Sequence, residues 1–193
     1  ALQICMMGLG LKPGDEVITA DFTFAATVEV IGLLQLTPVL VDVEPDTFNI
    51  DVKAIEKAIT PKTKAIVVTH LFGHPAQMDG IMDVSRSMGI PVIEDCAQSY
   101  DSLYKGQQTG SFGLASLISC SVMKVPTTLG GGILITEDKE LHSKIRLRLE
   151  NPAYNFNLNK TARYFIFSII SIFNSYPHLY TLFSHNILGL LKK

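Results

Sequence analysis

The sequence predicts an α/β fold, a mostly parallel sheet with helices on both faces, and three observations carry that expectation. Short apolar segments alternate with segments of helical periodicity through residues 1–150. The strand-like segments are near-continuous apolar runs, as in KAIVVT over 64–69, the pattern of strands covered on both faces. Polar residues, His70, Asp95 and Ser119, stand where such runs end, and ligands of open α/β sheets collect beyond the carboxyl ends of the strands.

The elements follow in order. Residues 1–10 read as the end of an apolar helix stopped by Gly10. Lys12-Pro13-Gly14-Asp15 is a turn leading into a strand over 16–19. A helix over 25–35 precedes a buried strand over 37–43. Val52, Ile55 and Ile59 lie at helical spacing behind Asp51, a side chain suited to cap the helix start. A strand over 64–70, a helix over 78–89 ending in glycine and a strand over 91–95 come next. Strands over 117–122 and 132–136 and a charged helix over 138–150 complete the pattern.

Composition narrows the function classes. The chain has 193 residues, 47% hydrophobic and 18% charged, enough for one domain with a sizeable core. A net charge of −2 supplies no cationic stripe, so a nucleic-acid partner is not expected. Cys5, Cys96 and Cys120 form no C-x-x-C pair, so neither a disulfide framework nor a metal site is expected; they read as buried thiols in a reducing compartment.

Two residues carry the chemical argument. Asp95 ends the apolar run Val92-Ile93-Glu94-Asp95, and a carboxylate there is costly without a cationic partner. Taken alone it reads equally as a helix cap or a structural ion pair. Lys124 follows an apolar strand and precedes Gly130-Gly131-Gly132. Alone it reads as a surface lysine; in an apolar pocket a lysine becomes nucleophilic. Together with Ser119 the pair supplies what a pyridoxal phosphate (PLP) enzyme needs in one place: a lysine to bond the cofactor, an acid for its pyridine nitrogen, and a phosphate donor. His70 reads as a local hydrogen-bonding residue.

The order and spacing of several stretches are more specific than either residue. They are Pro13–Ile18, Phe22–Thr27, Pro38–Val43, Thr69–Asp79, Glu94–Gln98, Tyr104–Gly106, Gly110–Gly113 and the segment from Ser119 through Lys124 to the three glycines. In these the chain resembles the DegT/DnrJ/EryC1/StrS family of PLP-dependent aminotransferases over 1–148. The resemblance implies the large domain of PLP-dependent transferase fold type I, a three-layer arrangement around a mostly parallel mixed sheet. It implies Lys124 as the Schiff-base lysine and Asp95 as the acid at the pyridine nitrogen. It also implies Gln98 near the ring's phenolic oxygen, Ser119 at the phosphate, and Phe24 stacked on the ring, with plain core packing as the alternative for Phe24. The implied reaction transfers an amino group from an amino acid, glutamate as a rule in this family, to a keto-sugar, usually nucleotide-linked. Relatives that dehydrate sugars carry histidine at the lysine position, so Lys124 favours transamination. A sugar dehydratase, other PLP chemistry and a non-catalytic remnant are the alternatives. A homodimer in the cytoplasm is implied as well.

The resemblance also implies a partial chain. The family's small phosphate motif falls just before Ala1, and its small domain lies beyond the resemblance. The expected organisation is a PLP-binding large domain over 1–150 and an apolar helical extension over 151–193. From 164 to 191 there is no Asp, Glu, Lys or Arg, while Pro177 and polar residues interrupt the run. A partner-facing helix pair, an interfacial membrane segment and a true span all fit that pattern.

Overall fold

The computed structural model describes residues 1–121, 124–128, 130–151, 162, 165, 166 and 169. Eight strands occur among the described residues: β1 (Glu16–Ala20), β2 (Thr37–Val41), β3 (Thr63–Thr69), β4 (Val92–Asp95), β5 (Leu103–Tyr104), β6 (Gln107–Gln108), β7 (Ala115–Ser119) and β8 (Gly132–Ile135). The helices are α1 (Leu2–Gly8), α2 (Ala25–Leu33), α3 (Val52–Ala58), α4 (Met78–Met88) and α5 (Lys139–Leu149). Six strands form one sheet in the order β2-β1-β3-β4-β7-β8. The first five are parallel, and β8 returns antiparallel to β7. The predicted mostly parallel mixed sheet is therefore present.

Strand alternation sends successive side chains to opposite faces, and two cores result. On one face Val17, Val67 and Ile93 pack with Cys5 and Met6 of α1, Ile31 of α2 and Leu141 and Ile145 of α5. On the other, Ile18, Ile66, Val68 and Val92 pack with Ile55 of α3 and Met78, Ile81 and Val84 of α4. The layers are thus helix, sheet, helix.

The helix ends follow from their residues. Asp51 caps α3 by accepting from the Lys53 N–H at 2.8 Å, as its position predicts. Asp138 caps α5 through Leu141 N–H at 2.6 Å. Helix α4 stops where Gly89 takes a left-handed φ of 65° and returns its N–H to the Ser85 carbonyl.

Several expectations need correction. Strand β2 is not buried: it lies at the sheet edge, and Leu40 is 50% exposed. Strand β8 is the opposite edge, which leaves Ile133 and Ile135 nearly half exposed. An apolar run does not distinguish a central strand from an edge strand. Strand β7 starts two residues early, at Ala115, and ends at Ser119, with Val122 outside the described residues. The β5–β6 hairpin was not expected; its strands have two residues each, and Lys105 and Gly106 turn it with φ of 50° and 85°.

Gly113, on the way into β7, approaches the β4 backbone closely. A Cβ there would stand 2.6 Å from the Val92 carbonyl oxygen. Gly113→Ala is expected to destabilise the protein by about 2 kcal/mol or more, measured by urea unfolding. Among the described residues no helix is long and apolar enough to cross a membrane. The expected extension over 151–193, with its uncharged run, lies outside the described residues except for Asn151, Ala162, Phe165, Ile166 and Ile169.

Candidate active site

The parallel strands carry chemically useful residues at their carboxyl ends, as the sequence predicts. Asp95 closes β4, His70 follows β3 directly, and Ser119 closes β7. Thr69 pairs with Asp95 across β3–β4, and Asp95 pairs with Leu117 across β4–β7. Ser119 is therefore two residues beyond Asp95's cross-strand partner, half-buried at the same edge.

Asp95 is the centre of this edge. It is 6% exposed. Its Oδ1 accepts the Ala97 N–H at 3.0 Å, and its Oδ2 accepts the Thr27 hydroxyl at 3.1 Å. Burial pushes its pKa up, and these two bonds, with the charge of Lys124, oppose the rise without cancelling it. Among the described residues Asp95 forms no ion pair. Among these residues it is a buried acid with a cation's charge felt from Lys124 but no direct ionic contact.

Lys124 lies in the connection from β7 to β8. The connection is pinned at its base by Thr128 N–H to Cys120 O and Cys120 N–H to Gly131 O, and Lys124 N–H bonds Ser121 O at 3.0 Å. Lys124 is half-buried, near enough to Asp95 for its charge to be felt there.

Gln98 reaches back toward β3. Its Oε1 accepts the Phe72 N–H at 3.1 Å, which fixes the amide's sense and turns the Nε2 donors the other way. Phe24 is 67% exposed and opens α2. Among the described residues the Phe24 ring is therefore not packed into the core. The structure brings Asp95, Lys124, Gln98, Ser119 and Phe24 to one sheet edge.

Two residues to which sequence reasoning gave no role stand out. Thr27 binds Asp95. Glu94 is fully buried, and its Oε1 accepts the N–H groups of Phe112 and Gly113, each at 2.7 Å. Its Oε2 accepts the Gly110 N–H at 2.7 Å and faces His70 Nε2 at 3.0 Å. The Ala76 N–H donates to His70 Nδ1 at 3.1 Å, so the proton on this ring sits on Nε2 and is given to Glu94. Burial pushes the Glu94 carboxyl up, but the bonds from His70, Gly113 and Gly110 outweigh it and hold the pKa below 4.5. His70 is thus the local hydrogen-bonding residue expected. The signal for Glu94 was a second acid inside an apolar run.

His70, Glu94 and Cys96 present ligand-type atoms within 4.8 Å of one another. The nitrogens of His70 and both oxygens of Glu94 are already engaged, and burial with the Glu94 charge pushes the Cys96 thiol up to about 12. These are the properties of a structural knot, not of a metal site.

The match to known proteins decides the family. The sequence profile of the DegT/DnrJ/EryC1/StrS aminotransferase family matches residues 1–165. The chain belongs to this family. A UDP-2-acetamido-2-deoxy-3-oxo-D-glucuronate aminotransferase of Pseudomonas aeruginosa is 45% identical over 150 residues, 76% of this chain and 41% of that protein. A GDP-perosamine synthase of Escherichia coli O157:H7 is 42% identical over 144 residues, 75% of this chain and 40% of that protein. The crystal structure of NtdA from Bacillus subtilis with bound cofactor PMP superposes with a TM-score of 0.70 at 35% identity, covering 75% of this chain and 33% of that one. The chain thus spans about two fifths of the length of these curated DegT/DnrJ/EryC1/StrS relatives.

Asp95→Asn is expected to stabilise the ligand-free protein by about 1 kcal/mol at neutral pH, about 3 °C in Tm. Asparagine keeps the acceptor for Ala97 and offers Thr27 a donor, without a buried charge. A carboxyl raised in the folded state contributes most stability below its unfolded pKa and loses it as pH rises through the folded value. The advantage of the variant therefore shrinks as pH falls into the acid range, and a calorimetric pH series reads this directly.

Proposed function

We propose that this chain is the cofactor-binding part of a PLP-dependent aminotransferase that moves an amino group from an amino acid, glutamate first, to a nucleotide-linked keto-sugar. The observation that carries the reading is Asp95. A buried acid bonded on both oxygens, with its pKa raised and no ion pair among the described residues, suits a pyridinium N–H. The other residues fit the same group. The exposed Phe24 ring suits a planar ligand, the Gln98 Nε2 donors suit a phenolic oxygen, and the Ser119 hydroxyl suits a phosphate.

When bound, PLP supplies an electron sink for breaking a bond at the donor's α-carbon. Asp95, ionised beside the ring nitrogen, would hold a proton there. Lys124 would hold the cofactor covalently, and its amine, when free, would move the proton between the donor's α-carbon and the cofactor's carbon, as base and then acid. Related proteins named for UDP- and GDP-linked sugars support a nucleotide-linked acceptor.

We assign residues 1–150 to the large domain of this enzyme and expect a homodimer. Three buried free thiols, Cys5, Cys96 and Cys120, suit a reducing cytoplasm. The test is an amino-transfer assay on the protein as its gene encodes it, with PLP, glutamate and a UDP-linked keto-sugar. Aminated sugar and 2-oxoglutarate are expected in equal amounts. Faster amination of simple keto acids than of any nucleotide-linked keto-sugar refutes the substrate class.

A further inference from the structure

Thr27 has no role assigned in the proposed reaction, yet its setting is specific. It is 2% exposed, in the first turn of α2. A hydroxyl buried that deeply is costly unless bonded, and it donates to Asp95 Oδ2. Ala97 N–H holds the other oxygen from the exit of β4. Two donors from two different elements leave the carboxylate one rotation that satisfies both. Without Thr27, the Ala97 N–H is the one hydrogen bond left to it among the described residues.

The same bond bears on Phe24, three residues earlier. The ring at position 24 is 67% exposed, so packing does not place it. Its backbone is tied on both sides. The Thr23 and Thr69 hydroxyls are 3.1 Å apart and share a hydrogen bond, and Thr69 is Asp95's cross-strand partner. Thr27 completes the bracket by binding Asp95 itself.

We propose that Thr27 is a positioning residue for the cofactor: its hydroxyl sets the rotation of the Asp95 carboxylate and ties the start of α2, with Phe24, to that acid. The inference rests on the PLP reading given above. Valine has threonine's branched shape without the hydroxyl, and serine has the hydroxyl without the methyl, so the two substitutions separate bond from packing.

The experiment measures PLP binding and the visible absorbance of the Lys124-bound cofactor in the protein as its gene encodes it. Thr27→Val is expected to weaken PLP binding about tenfold, the scale of one hydrogen bond to a charged group, and to shift the visible band. Thr27→Ser is expected to stay within about twofold of wild type, with an unshifted band. A folded Thr27→Val protein with wild-type affinity and spectrum overturns the proposal. So does a folded Thr27→Ser protein with a shifted band, which is decisive even where the valine variant fails to fold. These outcomes leave the cofactor reading standing. A wild-type protein without any Lys124-dependent band removes the cofactor reading, and this inference with it.

Discussion

Lys124→Ala is expected to abolish amino transfer, by at least about 10⁴-fold, while leaving the fold intact. The lysine has two tasks in the proposed reaction, bonding the cofactor and carrying the proton, and alanine does neither. The fold has no comparable stake in it. The loop is held by backbone bonds, Lys124 N–H to Ser121 O among them, and alanine keeps these. The unfolding midpoint should therefore stay near wild type, and the visible band of bound PLP should vanish. Lys124→Arg sharpens the test. Arginine keeps the positive charge that Asp95 feels but stays protonated, so it should restore the electrostatics and none of the activity. A band that survives Lys124→Ala would move the attachment to another lysine and undo the assignment of the site.

The second large effect is structural. Glu94→Gln is expected to cost about 3 kcal/mol or more, close to the loss from Glu94→Ala, although glutamine is nearly isosteric. Each Glu94 oxygen faces two donors: Phe112 and Gly113 N–H at Oε1, and Gly110 N–H and His70 Nε2–H at Oε2. Whichever way the amide is turned, its NH₂ meets donors. His70 cannot relieve the conflict by moving its proton, because Nδ1 accepts from Ala76. The carboxylate's pKa is held below 4.5, so its stabilisation is present above the unfolded value and lost as pH falls through the folded one. Urea unfolding at neutral pH should show the full deficit, and a pH series should show the gap closing toward strong acid. An unchanged midpoint for Glu94→Gln at neutral pH would mean that the donors around it find other acceptors.

Much of this was readable in advance because it is periodic or local. Apolar alternation located the main strands and helices, and Asp51 announced its own cap. Strand ends announced Asp95, His70 and Ser119, since the last residue of a parallel strand opens onto the ligand edge. The edge positions of β2 and β8 were not readable, because burial of an apolar run depends on strand order, a long-range property. The hairpin of β5 and β6 was too short for any periodicity to register. The partners of Glu94 and of Thr27 were hidden for another reason. Each residue acts on a partner far away in sequence, Glu94 on Gly110, Phe112 and Gly113, and Thr27 on Asp95. No local pattern marks such a pairing.

The adjacency of Glu94 and Asp95 has a consequence for how faithfully the sheet assembles. The two acids differ by one methylene and point to opposite faces of β4. A slip of β4 by one residue would place the longer acid at the ligand edge and bring Ile93 to where four donors wait. The apolar residues alone resist such a slip weakly, since Val92 and Ile93 are similar in size and would swap cores with little loss. Four donors fitted to a glutamate at one position penalise the shifted pairing far more, because they would be left unmet. On this account Glu94 proofreads the alignment of the strand that presents the acid beside it.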